Sequence, residues 1–315
     1  MRVLPSPTPA PVLAPVAVPD DRPDLRPDVP DDVAAPHDPL PLPPAGWGAA
    51  DGLDALAEAR LALPFELPEA DVASVLTTIV LRSGGYAVKV YPPGTDPRHL
   101  GTVAAALTGT RTAHVASAPP VVTSSGVVCV SRWLTGRRAP GWVALGALLR
   151  RFHDEHAEAD VPAWVPLRRL DSPTLALPDD AANVLLSART ALLGELAGLT
   201  SALGVGLVHG DVSLGNAVQG AAGPRLIDLD FAARGPREHD LASAARRVRS
   251  GEIDAATYRR FCRAYGFDVM TWHGLEVLDA IAELGAVAFR AWDDRRRGAD
   301  RDWLPGVVAR WRTPL

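Results

Sequence analysis

The sequence predicts an α+β protein of two lobes, a small antiparallel-sheet N-lobe followed by a mainly helical C-lobe. Three observations predict it. At 315 residues the chain is too long for one simple core and long enough for two lobes with a shared cleft. Runs rich in β-formers, broken by Ser and Gly turns, cluster before Leu134. After Pro140 the apolar spacing becomes helical.

The elements follow in order. Residues 1–46 are dense in Pro, Asp, Ala and Val, and proline removes backbone donors and fixes φ, so this stretch reads as a disordered tail. Residues 47–132 read as the N-lobe and residues 133–315 as the C-lobe. Within the N-lobe, DGLDALAEARLA (51–62) has the spacing of a short amphipathic helix. TTIVLRSGGYAVKVYP forms two β-rich runs around Ser83-Gly84-Gly85, a hairpin signal. Asp96 to Leu107 reads as a helix with Pro97 in its first turn, and Val121 to Leu134 as a second hairpin. In the C-lobe, GWVALGALLRRFHDEH and residues 179–203 read as helices and GLVHGD as a strand entering an acidic loop. NAVQGAAGPRLIDLD reads as a hairpin, and helices from Asp240, Asp254 and Leu275 fill the rest.

Composition excludes several classes. The hydrophobic fraction of 47% and charged fraction of 22% are ordinary for a globular protein. A net charge of −5 argues against a nucleic-acid binder, which needs a basic face. The basic run Arg295 to Arg297 directly follows Asp293 and Asp294 and reads as a solvated helix face. Two separated cysteines, Cys129 and Cys262, make neither a disulfide framework nor a metal site, and they suit a reducing cytoplasm. No signal-like start and no apolar run of about 18 residues is present, so no membrane span is expected.

The chemistry concentrates in two runs, VHGDVSLGN (208–216) and LIDLDFAARGPREHDLA (226–242). Asp211 offers a carboxylate, Asn216 a carboxamide five residues on, and Asp228 a second carboxylate after an apolar run. One acid to orient a hydroxyl, with an Asn and an Asp to hold a divalent cation, is a minimum set for phosphoryl transfer from a nucleotide. Lys89, in YAVKVY, is the only lysine of the chain, in an apolar strand where a charge needs a reason. Each residue also has a plainer reading. Asp211 reads alternatively as an Asx-turn residue and Lys89 as an edge charge reaching water. Asp230 reads equally as a second-metal or supporting ligand, on the face of Asp228 by strand alternation, and as a surface carboxylate. Asp240 reads as the N-cap of its helix, bracing the acidic loop, and His209 and His153 as structural.

HGDVSLGN fits the pattern HGDxxxxN, and IDLD, Gly235-Pro236 and Asp240-Leu241-Ala242 follow it in order. With YAVKVY and LGALLRRFH upstream, the chain resembles the aminoglycoside phosphotransferase family, in the protein-kinase-like superfamily of small-molecule kinases, over roughly residues 70–290. The resemblance implies a bilobal protein-kinase-like fold and a phosphoryl transfer from ATP or GTP, with Mg²⁺, to a hydroxyl of a small molecule. It implies Asp211 as the catalytic carboxylate that accepts, or at least orients, the proton of the acceptor hydroxyl, and Asn216 and Asp228 as metal ligands. Lys89 would pair with the α- and β-phosphates and Ala87 would leave room for adenine, facing a hinge at residues 131–134 with Ser131 and Trp133.

The chain departs from the pattern in places. The helix after Lys89 has no Glu to hold it, and His99 stands nearest. No glycine lies between Gly52 and Gly84, so Ser74, Thr77 and Thr78 alone are available to cover phosphates. Ser213 replaces the lysine of protein kinases, and the interval from Asp228 to Asp240 is too short to dock a peptide; both point to a small acceptor. An aminoglycoside would need acidic residues, for which Asp268, Glu276, Asp279 and Glu283 are available, and each reads equally as solvated. Trp272 and Trp292 read better as core than as ring-stacking residues. Amino alcohols, sugars and macrolides stay open as acceptors. The rival reading is a degenerate, non-catalytic nucleotide-binding or regulatory protein of the same fold.

Overall fold

The computed structural model describes residues 38–134, 140–220 and 223–313. Most of the expected tail, residues 1–37, lies outside the described residues. Helix α1 (Ala49–Ala59) opens at Gly48, whose N–H donates to the Asp51 carboxylate at 2.8 Å. A five-stranded antiparallel sheet follows: β1 (Ala70–Val75), β2 (Ile79–Ser83), β3 (Tyr86–Tyr91), β4 (Val121–Thr123) and β5 (Gly126–Arg132), in the order β1-β2-β3-β5-β4. Both expected hairpins are present, and Gly84 takes the positive φ of 55° that its turn requires. Strand β1 was not anticipated. It is a largely exposed edge strand, so it lacks the apolar alternation that announces its neighbours.

Alternation sorts the sheet into two faces. Ile79, Leu81, Val88, Val90, Val128 and Val130 bury against Ala55, Leu56 and Ala59 of α1. Register then places Ala87 opposite Ser131 and Lys89 opposite Cys129 on the other face. Helix α2 (Pro97–Ala106) crosses after β3, with Asp96 accepting from Arg98 N at 2.8 Å as its N-cap.

The helical lobe holds α3 (Trp142–Glu155), α4 (Asp179–Ala197), α5 (Glu238–Arg249), α6 (Ala255–Tyr265), α7 (Leu275–Arg297) and α8 (Leu304–Trp311). Between α4 and α5 lie β6 (Val205–Val208), the hairpin β7 (Ala217–Gly220) with β8 (Gly223–Leu226), and β9 (Ala233–Pro236), which pairs antiparallel with β6. Helix α4 stops at Ala197 rather than continuing to Leu203. The buried Glu238 carboxylate takes the backbone N–H groups of Ala202 (2.6 Å) and Leu203 (2.9 Å), which a longer helix would have used internally. One core joins α3, α6 and the β6–β9 region, and another joins α4, α7 and α8.

Residues 38–46 differ from the expected tail by forming a strap across both lobes. Leu40 buries with Tyr91, Leu100 and Val127 of the sheet lobe. Leu42 buries among side chains of α4 and α7, and Pro43 O accepts from Trp292 Nε1 at 3.0 Å. Pro39 O accepts from Asp96 N at 2.9 Å. Prolines suit this role, since an extended strap needs no repeating backbone donors.

Candidate active site

The acidic loop begins where β6 buries Leu207 and Val208 in the core. The next residues are held from below. Asp240, wholly buried inside α5, accepts the N–H groups of His209 (2.7 Å) and Gly210 (2.9 Å) and sits 2.9 Å from His153 Nε2. His153 in turn meets the Tyr265 hydroxyl at 2.8 Å. Asp240 thus braces the loop, but as an interior residue of α5 and not as its N-cap. Burial opposes ionisation of Asp240, yet His153 and His239 overcome it and hold the carboxyl well below the usual carboxylate range. Gly210 has φ +82°, and a Cβ there would meet Phe231 O at 2.3 Å, so only glycine fits. His209 is fully buried and donates through Nε2 to Ile227 O at 2.8 Å, a structural role.

Asp211 leaves this brace exposed. Asn216 Nδ2 donates to its backbone O (2.8 Å) and to its Oδ2 (3.0 Å). The five-residue interval closes because Ser213 caps a short 3₁₀ turn, accepting from Asn216 N at 3.2 Å.

The second acidic run meets Lys89. Strand β8 ends at Leu226, and Asp228 adopts a left-handed φ of +63°, a conformation that Asp tolerates better than most residues. Asp228 and Asp230 therefore converge through a bend rather than through strand alternation. Lys89 Nζ donates to Asp228 Oδ1 and, at 2.6 Å, to Asp230 Oδ2, while the Tyr91 hydroxyl donates to Asp230 Oδ1 at 2.6 Å. Burial pushes the Lys89 ammonium down, but the two carboxylates outweigh it and the net shift is upward. Burial, with Asp230 adding to it, raises the Tyr91 hydroxyl and brings the Cys129 thiol to about 12. Asp230 is thus no surface carboxylate. It supplies the partner that α2 lacks, and α2 presents the buried His99, whose Nε2 has no hydrogen-bond partner. Burial, then Arg168, lowers the His99 pKa, which keeps the imidazole neutral near pH 7. Sequence reading missed Tyr91, although its position two residues after Lys89 in a strand places both on one face.

These groups border a cavity of about 520 Å³ between the lobes, within the range of small-molecule sites. Lys89, Asp211, Asp228 and Asp230 line it, with Thr77 and Thr78 from the β1–β2 turn above them. A smaller cavity of about 120 Å³ lies behind Lys89 and is bordered by Ser131, Cys129 and His99. Asn216 reaches the site through its hydrogen bonds to Asp211. Ala87 shares the sheet face of Lys89 and Ser131, and Trp133 lies under the Arg82 guanidinium at 5.1 Å while its N–H donates to Gly85 O at 2.8 Å. The expected hinge, residues 131–134, lies within the described residues, and residues 135–139 after it lie outside them.

Among the described residues no three His, Cys, Asp or Glu side chains gather as a metal cage. Mg²⁺ does not require one, since it binds through one or two protein oxygens, water and substrate phosphates. The Asp228 carboxylate and the Asn216 carbonyl oxygen, left free when Nδ2 turns to Asp211, fit that donor set. Of the acids considered for a cationic acceptor, Asp268 accepts from Tyr258 and Asp279 holds Arg246 and Arg249. None of Asp268, Glu276, Asp279 or Glu283 lines the larger cavity. Trp272 and Trp292 are core residues.

Similarity to known proteins agrees with this geometry. Solved structures of similar fold include an amicoumacin kinase, hAmiN, in complex with AMP-PNP, Ca²⁺ and Ami (TM-score 0.60, 16% identity, covering 84% of this chain and 93% of that one). A choline kinase, LicA, from Streptococcus pneumoniae matches at TM-score 0.58 and 11% identity, over 83% of this chain and 98% of that one. A macrolide 2'-phosphotransferase, MphH, from Brachybacterium faecium matches at 0.51 and 17%, over 83% and 99%. A search of curated proteins returns no match. The profile of the phosphotransferase enzyme family (APH) matches residues 69–284, which span the sheet, the acidic loop and the cavity lining up to Ala282, and the chain belongs to that family.

Proposed function

We propose that the protein is a small-molecule kinase that moves the terminal phosphoryl group of ATP or GTP, with Mg²⁺, to a hydroxyl of its acceptor. The observation that carries this reading is the meeting of Asp211, Asp228 and Lys89 at one cavity from three separate stretches of chain, with Asn216 bonded to Asp211 beside them. In this reading Asp211, exposed at the cavity, accepts the hydrogen bond of the acceptor hydroxyl and aims its oxygen. Asn216 holds the Asp211 carboxylate in one rotamer, which limits the directions from which that hydroxyl approaches. Lys89 binds nucleotide phosphate oxygens, and Thr77 and Thr78 close over them in place of a glycine-rich loop. Asp228 and Asn216 would hold Mg²⁺, which would supply charge neutralisation of the phosphates. Ala87 and Ser131, paired across β3 and β5 on the face of Lys89, take the base, with Trp133 just beyond the strand. The two free cysteines support a reducing cytoplasmic setting in this reading.

Asp211→Ala tests it. Phosphoryl transfer is expected to fall by about 10²- to 10⁴-fold, with the melting temperature unchanged because Asp211 is exposed. Undiminished nucleotide turnover would sink the assignment. A thermal shift with ATP, with and without Mg²⁺, separates an enzyme from a non-catalytic nucleotide binder, which would respond without metal and without turnover.

A further inference from the structure

The large cavity extends beyond the acidic loop onto a wall with no assigned role. Helix α5 turns His239, Ser243 and Arg246 toward it, spaced i, i+4 and i+7 on one face. Helix α7 answers with Ile281, Gly285 and Phe289 at i, i+4 and i+8, and Phe289 stays 40% exposed there. One side of the wall is a polar stripe and the other an apolar one.

The polar stripe is incompletely satisfied. Ser243 Oγ is buried without a hydrogen-bond partner, whereas His239 Nδ1 is turned to the Asp240 carboxylate, 3.7 Å away. A buried polar atom left unpaired is costly, so Ser243 marks a place where a ligand completes the bonding.

The charge of the wall is one-sided. Asp279 is shared by Arg246, at 3.2 Å, and Arg249. On the opposite rim Asp38 is shared by Arg168, at 2.8 Å, and Arg169, at 3.6 Å. Each carboxylate serves two guanidinium groups, so each rim keeps a net positive charge. The acids among the described lining residues are Asp211, Asp228 and Asp230, all at the transfer end. A polycationic acceptor would set its ammonium groups against arginine with no carboxylate to receive them.

We propose that the α5–α7 wall is the acceptor subsite and that it takes a hydroxyl compound bearing an apolar body and an anionic group. The apolar body lies on Ile281 and Phe289, and the anion is received by Arg246 beside Ser243 and His239. This rests on the phosphotransferase reading, which is tested separately by Asp211-dependent ATP hydrolysis with Mg²⁺ and no acceptor.

The experiment measures dissociation constants by calorimetry on the full chain loaded with Mg²⁺ and AMP-PNP. Three probes share a phenyl group and a primary hydroxyl: N-benzoylserine carries a carboxylate, N-benzoylethanolamine is neutral, and phenylalaninol is cationic. An aminoglycoside is the fourth. N-benzoylserine is expected to bind about tenfold more tightly than the other two phenyl probes, as one charge-assisted contact allows. Arg246→Gln should erase that ratio, Arg246→Lys should retain most of it, and Phe289→Ala should weaken the phenyl probes together. Absence of binding by N-benzoylserine, tighter binding of the cationic probe or the aminoglycoside, or a ratio unmoved by Arg246→Gln would overturn the inference. A chain that hydrolyses ATP yet prefers cations loses the acceptor proposal alone. A chain that neither binds nor turns over ATP with Mg²⁺ loses the kinase reading.

Discussion

Lys89 is held by two carboxylates from one bend, and each oxygen of Asp230 has its own donor from β3. Removing the Asp230 charge should leave the ammonium on Asp228 alone and so occupy the carboxylate proposed for Mg²⁺. We expect Asp230→Asn to weaken ADP binding about tenfold, with and without Mg²⁺, measured by calorimetry. A loss seen only with Mg²⁺ would instead make Asp230 a metal ligand. Tyr91→Phe removes one donor from the same carboxylate and should give a smaller loss of the same kind. The pair Asp228 and Asp230 was visible in IDLD, but their partner was not. Side-chain pairing between β3 and a bend about 140 residues later has no local signature.

At the scale of elements, α3, α5 and α6 converge beneath the acidic loop through His153, Asp240 and Tyr265. This is why a loop with an exposed Asp211 keeps one shape. Asp240→Asn removes a buried, hydrogen-bonded charge and should cost about 3 kcal/mol. The Asp240 carboxyl is depressed, so its stabilisation is complete above the unfolded carboxyl pKa of about 3.9. It is lost as pH falls below that value toward the folded one. Urea unfolding of both proteins should therefore show a gap that holds at pH 5 to 7 and narrows below about pH 4. The helices themselves were legible from spacing, and Asp96 and Asp254, where two of them were expected to begin, are their N-caps. The early end of α4 was not, because Glu238, a residue of α5, takes the N–H groups that would have continued it.

In the whole molecule the two lobes are tied by the strap at residues 38–46, whose Leu40 belongs to one lobe and Leu42 to the other. Leu42→Ala should cost about 2–5 kcal/mol, read as a lower melting temperature. A chain starting at residue 47 should be less stable than one starting at Asp38, and should bind nucleotide more weakly as the lobes separate. Equal melting temperatures would show that the strap contributes nothing. Among the described residues no helix is long and apolar enough to cross a membrane.

The sequence by itself determined the enzyme family and the two-lobe order. HGDVSLGN and IDLD carry their own spacing, a lone lysine in an apolar strand is conspicuous, and periodicity reports which face of each element is buried. Only the tertiary structure decided what holds Lys89, where the chain straps the lobes and which charges line the cavity. Those depend on side chains meeting across long loops. A proline-rich segment looks the same in sequence whether or not a groove receives it, and an arginine on α5 looks solvated until α7 is placed opposite.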